Sequence, residues 1–336
     1  MSARQGTAPE LVGPVAPDET STNDSLPAIR RLQHQAEEFV RASKALSTLR
    51  AYRSDWDHFV TWCDGHGMPT LPATANTVAL YLTSLAATHR PATMTRRLTA
   101  ITKAHQIAGH ASPATMQQPA VSETLKGIRR TLGTAQKVKA PLLTADIRRM
   151  LEALPENLAG RRDRALLLLG FAGGFRRSEL AALEVEDAQT TEDGLVVKLR
   201  RSKTDPEGKG RDVGIPYGSN PSTCPVRALN AWKKGAGISG GALFRGVDRH
   251  GQLGTIGLHK DSIGLIVKRA AEAAGLNPLQ YAGHSLRAGL VTQGYINGAG
   301  ELALMRQTGH RSLEMIRRYI RDGSLFRDNP GGKLGL

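Results

Sequence analysis

The sequence predicts a mainly α-helical protein: an N-terminal helical bundle followed by a larger, mixed α+β domain with a small antiparallel sheet. Three observations predict it. From about residue 28 to 132, apolar residues recur at intervals of three and four, the period of a helix with one buried face. Between residues 195 and 215, two β-rich runs flank a turn-forming segment inside an otherwise helical pattern. Between these regions lies a short polar stretch, Thr134 to Lys139, closed by Pro141, which reads as a linker over 134–141.

The 336 residues suffice for two domains with separate cores. Residues 1–27 are rich in Pro, Ser, Thr and Asp and show no apolar period, so they read as a disordered tail. The bundle, 28–133, has four clear helical faces. Leu49, Tyr52, Trp56, Phe59, Val60 and Cys63 make the first, with Ser47 placed to cap it. Val78, Tyr81, Leu82 and Leu85 make the second, and Met94, Leu98, Ile101, His105 and Ala108 the third. Val121, Leu125, Ile128 and Leu132 make the fourth. Pro72, Pro91 and Pro113, with Gly65 and Gly67, mark the gaps. The polar sides of the last two faces carry Arg96, Arg97, Lys103, Lys126, Arg129 and Arg130, and together read as a phosphate-facing surface.

The second domain spans 142–325. A helix opens near Thr144, with Ile147, Met150, Leu151 and Leu154 turned inward. The run Ala165 to Phe171 is wholly apolar but too short to span a membrane, so it reads as a buried helix. Gly173 and Gly174 break it, and a new helix follows. Leu195 to Leu199 and Val213 to Ile215 form a hairpin-like pair whose tip holds Lys203, Pro206 and Gly208. Pro225 to Lys234 is helical. Gly235 to Gly240 matches G-x-G-x-x-G, but it follows a helix where a dinucleotide fingerprint follows a strand, so it reads as a loop. Residues 261–274, 285–296, 299–307 and 312–321 read as helices. On the last, Leu313, Ile316 and Ile320 form the buried stripe, and Tyr319 lies at its polar edge among Arg317, Arg318 and Arg321. Residues 326–336 form a C-terminal tail.

Lys and Arg number 45 against 30 Asp and Glu, a net charge of +15. The first 27 residues carry −3, so +18 falls on the rest. Such an excess favours a polyanionic partner. Aromatic residues make up only 4%, which argues against single-strand binding by base stacking. No apolar run reaches the length of a membrane span, and the N-terminus lacks a signal-peptide pattern. Cys63 and Cys224 read as buried thiols of a reducing cytosol, and no Cys/His spacing reads as a zinc site.

Four motifs bear chemistry. Gly174-Phe175-Arg176-Arg177-Ser178-Glu179-Leu180 places an Arg at a Gly-made break, with Glu179 near enough to orient it. Lys203 sits on the hairpin tip. His284 and Arg287, three apart, share a helical face in Gly283-His284-Ser285-Leu286-Arg287. Gly309-His310 precedes Tyr319 by a fixed interval. In this order and spacing, they resemble the tyrosine recombinases, also called the phage integrase family, whose catalytic domain runs G-x-R-x-S-E-[LI], a hairpin Lys, H-x-[LI]-R, then [LT]-G-H ahead of Tyr. The resemblance covers about 140–322, and extends loosely to 40–132, which looks like the family's SAM-like core-binding domain. Ala288 and Gly289 follow Arg287 where many members have His and Ser or Thr, and Thr308 stands where Leu is commoner. Both departures bear on subfamily and not on class.

The resemblance implies a site-specific recombinase that cuts and rejoins duplex DNA through a 3′-phosphotyrosyl bond, in integration or excision. Tyr319 would be the nucleophile, and Arg176 and Arg287 would hold the phosphate. Lys203 would be the general acid, His284 would move the Tyr319 proton and His310 would bond the phosphate, while Glu179 orients the site. No metal or other cofactor is implied. The partners expected are a double-stranded recombination site and a homotetramer formed on paired sites, in the nucleoid-associated cytoplasm. The C-terminal tail, with Phe326, Leu334 and Leu336, would dock on a neighbouring subunit. Two other readings stand beside this one: a non-catalytic DNA-binding architectural protein, and a type IB topoisomerase.

Overall fold

The computed structural model describes residues 44–135, 138–202, 205, 207–324, 331 and 334, together with Leu32, His34, Gln35 and Phe39; for 321–324 it describes the backbone alone. The chain divides into two compact units, Met1–Gln136 and Lys137–Leu336. The N-terminal tail and, apart from Gly331 and Leu334, the C-terminal tail lie outside the described residues, as do positions 136 and 137 of the linker.

The N-terminal unit contains α1 (Leu46–Gly65), α2 (Ala75–Leu85), α3 (Pro91–Ile107) and α4 (Pro119–Leu132). Local chemistry sets their starts. The Thr74 hydroxyl accepts the Thr77 N–H at 3.1 Å and caps α2. Pro91 and Pro119 open α3 and α4, where a missing N–H leaves no bond unmade. Helix α1 packs on α3, and α2 on α4. Trp56, Phe59, Val78, Tyr81, Leu82, Met94, Ile101, Val121 and Leu125 fill the space between them. His105 also lies in this core, fully buried: its Nδ1 bonds Ile101 O and its Nε2 accepts the Ala73 N–H, each at 2.9 Å. That pairing needs the neutral ring, and burial lowers its pKa accordingly.

The second unit is built around α6 (Leu158–Gly173), whose Leu166 to Leu169 are all buried. Asn157 caps it by accepting the Gly160 N–H at 2.9 Å. Before it comes α5 (Thr144–Glu152) and after it the short α7 (Arg177–Ala182). A three-stranded antiparallel sheet follows: β1 (Ala188–Thr190), β2 (Gly194–Leu199) and β3 (Arg211–Pro216), in that spatial order. The register pairs Leu195 with Ile215, Val197 with Val213, and Leu199 with Arg211. The apolar members of these pairs are buried, and Arg211 shares their face. Helix α8 (Pro225–Ala236) packs on α6.

A second sheet that the sequence pattern does not predict is the hairpin of β4 (Arg245–Val247) and β5 (Leu253–Gly257). Its strands are short, Gly-containing and not buried, so they carry no alternating pattern. The turn supplies the order instead: Asp248 Oδ1 accepts the N–H groups of His250 and Gln252, each at 2.8 Å. The chain continues through α9 (Lys260–Ala273), α10 (Gly283–Ile296), α11 (Glu301–Thr308) and α12 (Leu313–Ser324). Val291, Leu304, Ile316 and Ile320 form a small separate core under the last three helices. That core sets the height and angle of α12, and so the position of Tyr319.

Candidate active site

Gly174 is the corner on which the site is built. It ends α6 in the left-handed region at φ 60°, and a Cβ there would lie 2.6 Å from Leu290 Cδ2 and 2.9 Å from Thr308 Cγ2, so only glycine fits. The turn buries Phe175 and delivers Arg176 to the start of α7. Glu179, itself buried, holds Arg176 twice. One carboxylate oxygen accepts the Arg176 backbone N–H at 2.8 Å, and the other pairs with Nη1 at 2.6 Å. Arg287, on the first turns of α10 and 1% exposed, donates from Nη1 to the Gly174 carbonyl at 2.7 Å. The first and third sequence motifs are thus joined through one glycine carbonyl.

His284 lies one turn before Arg287 and is open to solvent on one side. Its Nε2 is 2.7 Å from the Tyr319 hydroxyl. Thr292, further along α10, donates its hydroxyl to Tyr319 O at 3.1 Å and ties the two helices at that residue. The Tyr319 ring stands between two imidazoles, with centroids 5.7 Å from His284 and 5.8 Å from His310. Buried His310 places Nε2 3.2 Å from Arg287 Nη2, and Nδ1 2.6 Å from Thr308 Oγ1. Arg176, His284, Arg287, His310 and Tyr319, with Glu179 behind them, therefore meet in one place.

The electrostatics assign protonation states. Burial, then the charges of Arg287, Arg176 and Arg177, lower the His284 pKa, so its ring is neutral and Nε2 can accept from Tyr319. Burial raises the Tyr319 pKa, and the opposing charges of Arg287, Arg176 and Arg318 do not overcome it. The hydroxyl is a phenol at rest and needs a base to become a nucleophile; His284 is the group in contact with it. Burial, helped by Arg287, Arg176, His284 and Arg211, pushes His310 down to about 3. Burial and Arg176 push Arg287 down to about 10, still a cation near neutral pH. Two guanidinium groups, two neutral imidazoles and one phenol form a site for an oxyanion that must also accept a proton from a hydroxyl.

Residues 141–324, more than half of the chain, match the phage integrase family. The chain belongs to the phage integrase family. An integrase/recombinase XerD homologue of Selenomonas ruminantium is 40% identical over 303 residues, covering 89% of this chain and 88% of that relative. A tyrosine recombinase XerD of Xanthomonas axonopodis pv. citri is 28% identical over 287 residues, covering 82% and 87%. Among solved structures, the XerH site-specific recombinase bound to palindromic difH substrate, a post-cleavage complex, superposes with a TM-score of 0.64. It shares 16% identity and covers 90% of this chain and 84% of its own. A lambda integrase dimer bound to a COC′ core site gives 0.57 at 17% identity, covering 88% and 95%. Both likenesses are of fold. As a member of the phage integrase family, the protein is a tyrosine recombinase, an enzyme of site-specific DNA recombination.

Other residues singled out in the sequence fall elsewhere. Lys203 lies outside the described residues. The base of its hairpin borders the integrase-family site: Ser202, Asp205 and Arg211 line a cleft of about 250 Å³ with Gly309, His310 and Arg311. Of the basic residues of the bundle, Lys126, Arg129 and Arg130 are exposed on α4, and Arg129 reaches across to Thr95 Oγ1 on α3 at 3.2 Å. On α3, half-buried Lys103 bonds Gln106, while exposed Arg96 makes a two-point contact with Asp55 at 2.7 and 2.9 Å. Arg97 does not share this surface. It is 7% exposed, and its guanidinium bonds Tyr81 and His58 at 2.8 Å and His89 at 3.1 Å. Helix α3 carries two basic residues in succession, and a step of one position turns the second from solvent into the bundle.

Arg211, which none of the four motifs includes, also borders the site. Its Nη1 donates to Gln307 O at 2.9 Å, Nη2 is buried with no hydrogen-bond partner among the described residues, and its Nε would lie 2.9 Å from a Cβ at Gly309. Burial lowers its pKa, with Glu179 opposing and Arg176 reinforcing the shift. The signal available in the sequence was period two: Arg211, Val213 and Ile215 alternate, which puts an arginine on the inward face of a strand.

Proposed function

We propose that Tyr319 is the nucleophile of this recombinase and that the cluster around it breaks and remakes a DNA phosphodiester bond. The observation that carries this reading is the 2.7 Å contact between the Tyr319 hydroxyl and neutral His284 Nε2, beside Arg176 and Arg287. As the Tyr319 oxygen bonds to phosphorus, its proton passes to His284. The bond from phosphorus to the 5′-oxygen breaks, and Lys203 gives that oxygen a proton. Arg176 and Arg287 face the non-bridging oxygens, whose charge grows in the transition state, and His310 bonds one of them. The resulting 3′-phosphotyrosyl ester keeps the bond energy, and a 5′-hydroxyl from the exchanged strand reverses the steps. This route asks for no nucleotide and no metal.

The substrate in this reading is a double-stranded recombination site, and the working form is a homotetramer on two paired sites. The charge of +18 outside the first 27 residues and the exposed Lys126, Arg129 and Arg130 support a duplex partner. Residues 28–133 act as the core-binding domain, 134–141 as the linker and 142–325 as the catalytic domain. The segment 326–336 docks on a neighbouring subunit. The protein works in the cytoplasm at the nucleoid.

The test is a covalent trap. Purified protein, without metal or nucleotide, is mixed with nicked fragments of its source genome and quenched in detergent, and the attached DNA is sequenced. Attachment by wild type at one recurring sequence, and none by Tyr319→Phe, is the expected outcome. Attachment at unrelated sequences would make the protein a topoisomerase. Tight, salt-sensitive binding without attachment would point to an architectural DNA-binding protein or to a recombinase that needs a helper protein.

A further inference from the structure

A neutral imidazole has one donor and one acceptor, and the nitrogen that carries the hydrogen decides what His310 can offer a phosphate. Thr308, the last residue of α11, is fully buried. Its Oγ1 lies 2.6 Å from Leu304 O and 2.6 Å from His310 Nδ1. A carbonyl oxygen only accepts, so the single hydroxyl hydrogen of Thr308 is committed to Leu304. Towards His310 the hydroxyl can then only accept, and Nδ1 must carry the hydrogen. The other side of the ring agrees. Nε2 faces Arg287 Nη2 at 3.2 Å, and a guanidinium nitrogen only donates, so Nε2 holds the lone pair. Between the two residues, Gly309 takes φ 65°, which lets side chains two apart in sequence meet.

We propose that Thr308 is a positioning residue that locks His310 as the Nδ1–H tautomer, so that His310 can donate from Nε2 to a phosphate oxygen only as the imidazolium. The inference rests on the reading of His310 as a phosphate-facing group. In the free protein, His310 carries one hydrogen, on Nδ1, and accepts from Arg287. When a phosphate arrives, Arg287 turns its donor to a phosphate oxygen, Nε2 takes a proton from water or buffer, and both ring nitrogens donate. That proton returns to solvent when the DNA leaves. The groups around the ring are Arg287 and His284 on α10, Arg176 before α7, Arg211 on β3 and Tyr319 on α12. Burial first, and then the cations among them, hold the free ring neutral, so the phosphate's negative charge is what draws the proton in. Engagement of the phosphate is thus coupled to the uptake of one proton. A leucine in place of Thr308 would offer no acceptor and impose no such coupling.

The experiment uses the full-length protein with ¹⁵N-labelled histidine, and His310→Gln to assign the ring. Long-range nitrogen–proton NMR correlations at neutral pH, without DNA, report the tautomer. Wild type and Thr308→Ser should show the Nδ1–H form, and Thr308→Val should shift the population towards Nε2–H. A wild-type ring in the Nε2–H form, or a Thr308→Val ring unchanged, overturns the lock. The wild-type spectrum decides the tautomer even if Thr308→Val does not fold. The second readout is the rate of covalent attachment to DNA against pH. Wild type should lose rate on the alkaline side by about tenfold per pH unit, as expected for a required proton. Thr308→Val should show a flatter alkaline limb, because the neutral Nε2–H ring donates without taking a proton. Identical limbs overturn the coupling. A locked wild-type ring with no attachment at any pH supports the lock and overturns the DNA-cleaving reading of the site.

Discussion

Arg176 owes its place to Glu179, which binds both its backbone and its guanidinium from a buried position. Removing the charge while keeping the shape separates orientation from bulk. In Glu179→Gln one oxygen can still accept the Arg176 N–H, but the ion pair is gone and the guanidinium is free to swing. The rate of covalent attachment should fall about tenfold or more, yet less than the ~10²–10³ expected for losing such a donor outright, as in Arg176→Ala. DNA affinity should change little in Glu179→Gln, because that variant removes no cation. An unchanged attachment rate in Glu179→Gln would mean Arg176 is positioned by other groups. In the proposed mechanism His284, as the base, gives the pH dependence. Its pKa is lowered from the usual 6.5, so it is neutral above that value and becomes protonated, and useless as a base, only at lower pH. The acid limb of the attachment rate should therefore lie below 6.5. Arg177 is one of the charges holding it there, so in Arg177→Gln the limb should move up towards 6.5. Residues of this kind were legible in the sequence because Gly174, Gly283 and Gly309 flag the positions where side chains are aimed. Arg211 and the link from Thr308 to His310 were not, since both depend on which neighbour the fold brings across.

The elements of the N-terminal bundle carry a polar network that the helical periods hid. Asp55 on α1, Tyr81 on α2 and Arg97 on α3 meet His58 and His89, and Arg97 needs a lone pair from each histidine. His105 needs one as well, to accept the Ala73 N–H. The pKa values of all three histidines are lowered, first by burial, and for His58 and His89 next by Arg97. In the unfolded chain each would titrate near 6.5, so at lower pH the unfolded state takes up protons first. The bundle should keep its full stability above about 6.5 and lose it as pH falls towards the lowered folded values. Thermal melting of the full-length protein, followed by tryptophan fluorescence, checks this. His89→Gln can still accept from Arg97 but cannot titrate, and should melt with a weaker pH dependence. A bundle equally stable at pH 5 and pH 7, or a His89→Gln protein as acid-sensitive as wild type, would remove these histidines from the account. The four apolar stripes of this unit were legible because period three-and-four is local. Arg97 lies inward where the pattern predicts an outward face, because its burial is set by partners 39, 16 and 8 positions away. The β4–β5 hairpin escaped for the related reason that its pairing rests on a turn and not on a stripe.

At the scale of the molecule, charge decides how DNA is held. The excess of +18 beyond residue 27 is spread over both units, and much of it sits on exposed side chains such as Arg129 and Arg130. Each cation that neutralises a phosphate releases counterions, so the logarithm of affinity should fall linearly with the logarithm of salt, by about 0.9 per phosphate contacted. The slope counts contacts without regard to sequence, which makes it the measurement that separates holding from cutting. Arg130→Gln should shallow it by about 0.9 if that residue meets one phosphate, and weaken binding to cognate and unrelated duplexes alike. Tyr319→Phe should leave the slope unchanged, because it removes a hydroxyl and no charge. Arg97→Gln should also leave the slope unchanged while lowering the melting temperature, since the buried guanidinium has no phosphate to meet and a fold to hold. A slope that moves with Arg97 and not with Arg130 would reverse the assignment of the α3 and α4 surface, and would mean the bundle opens its polar network when it takes up DNA.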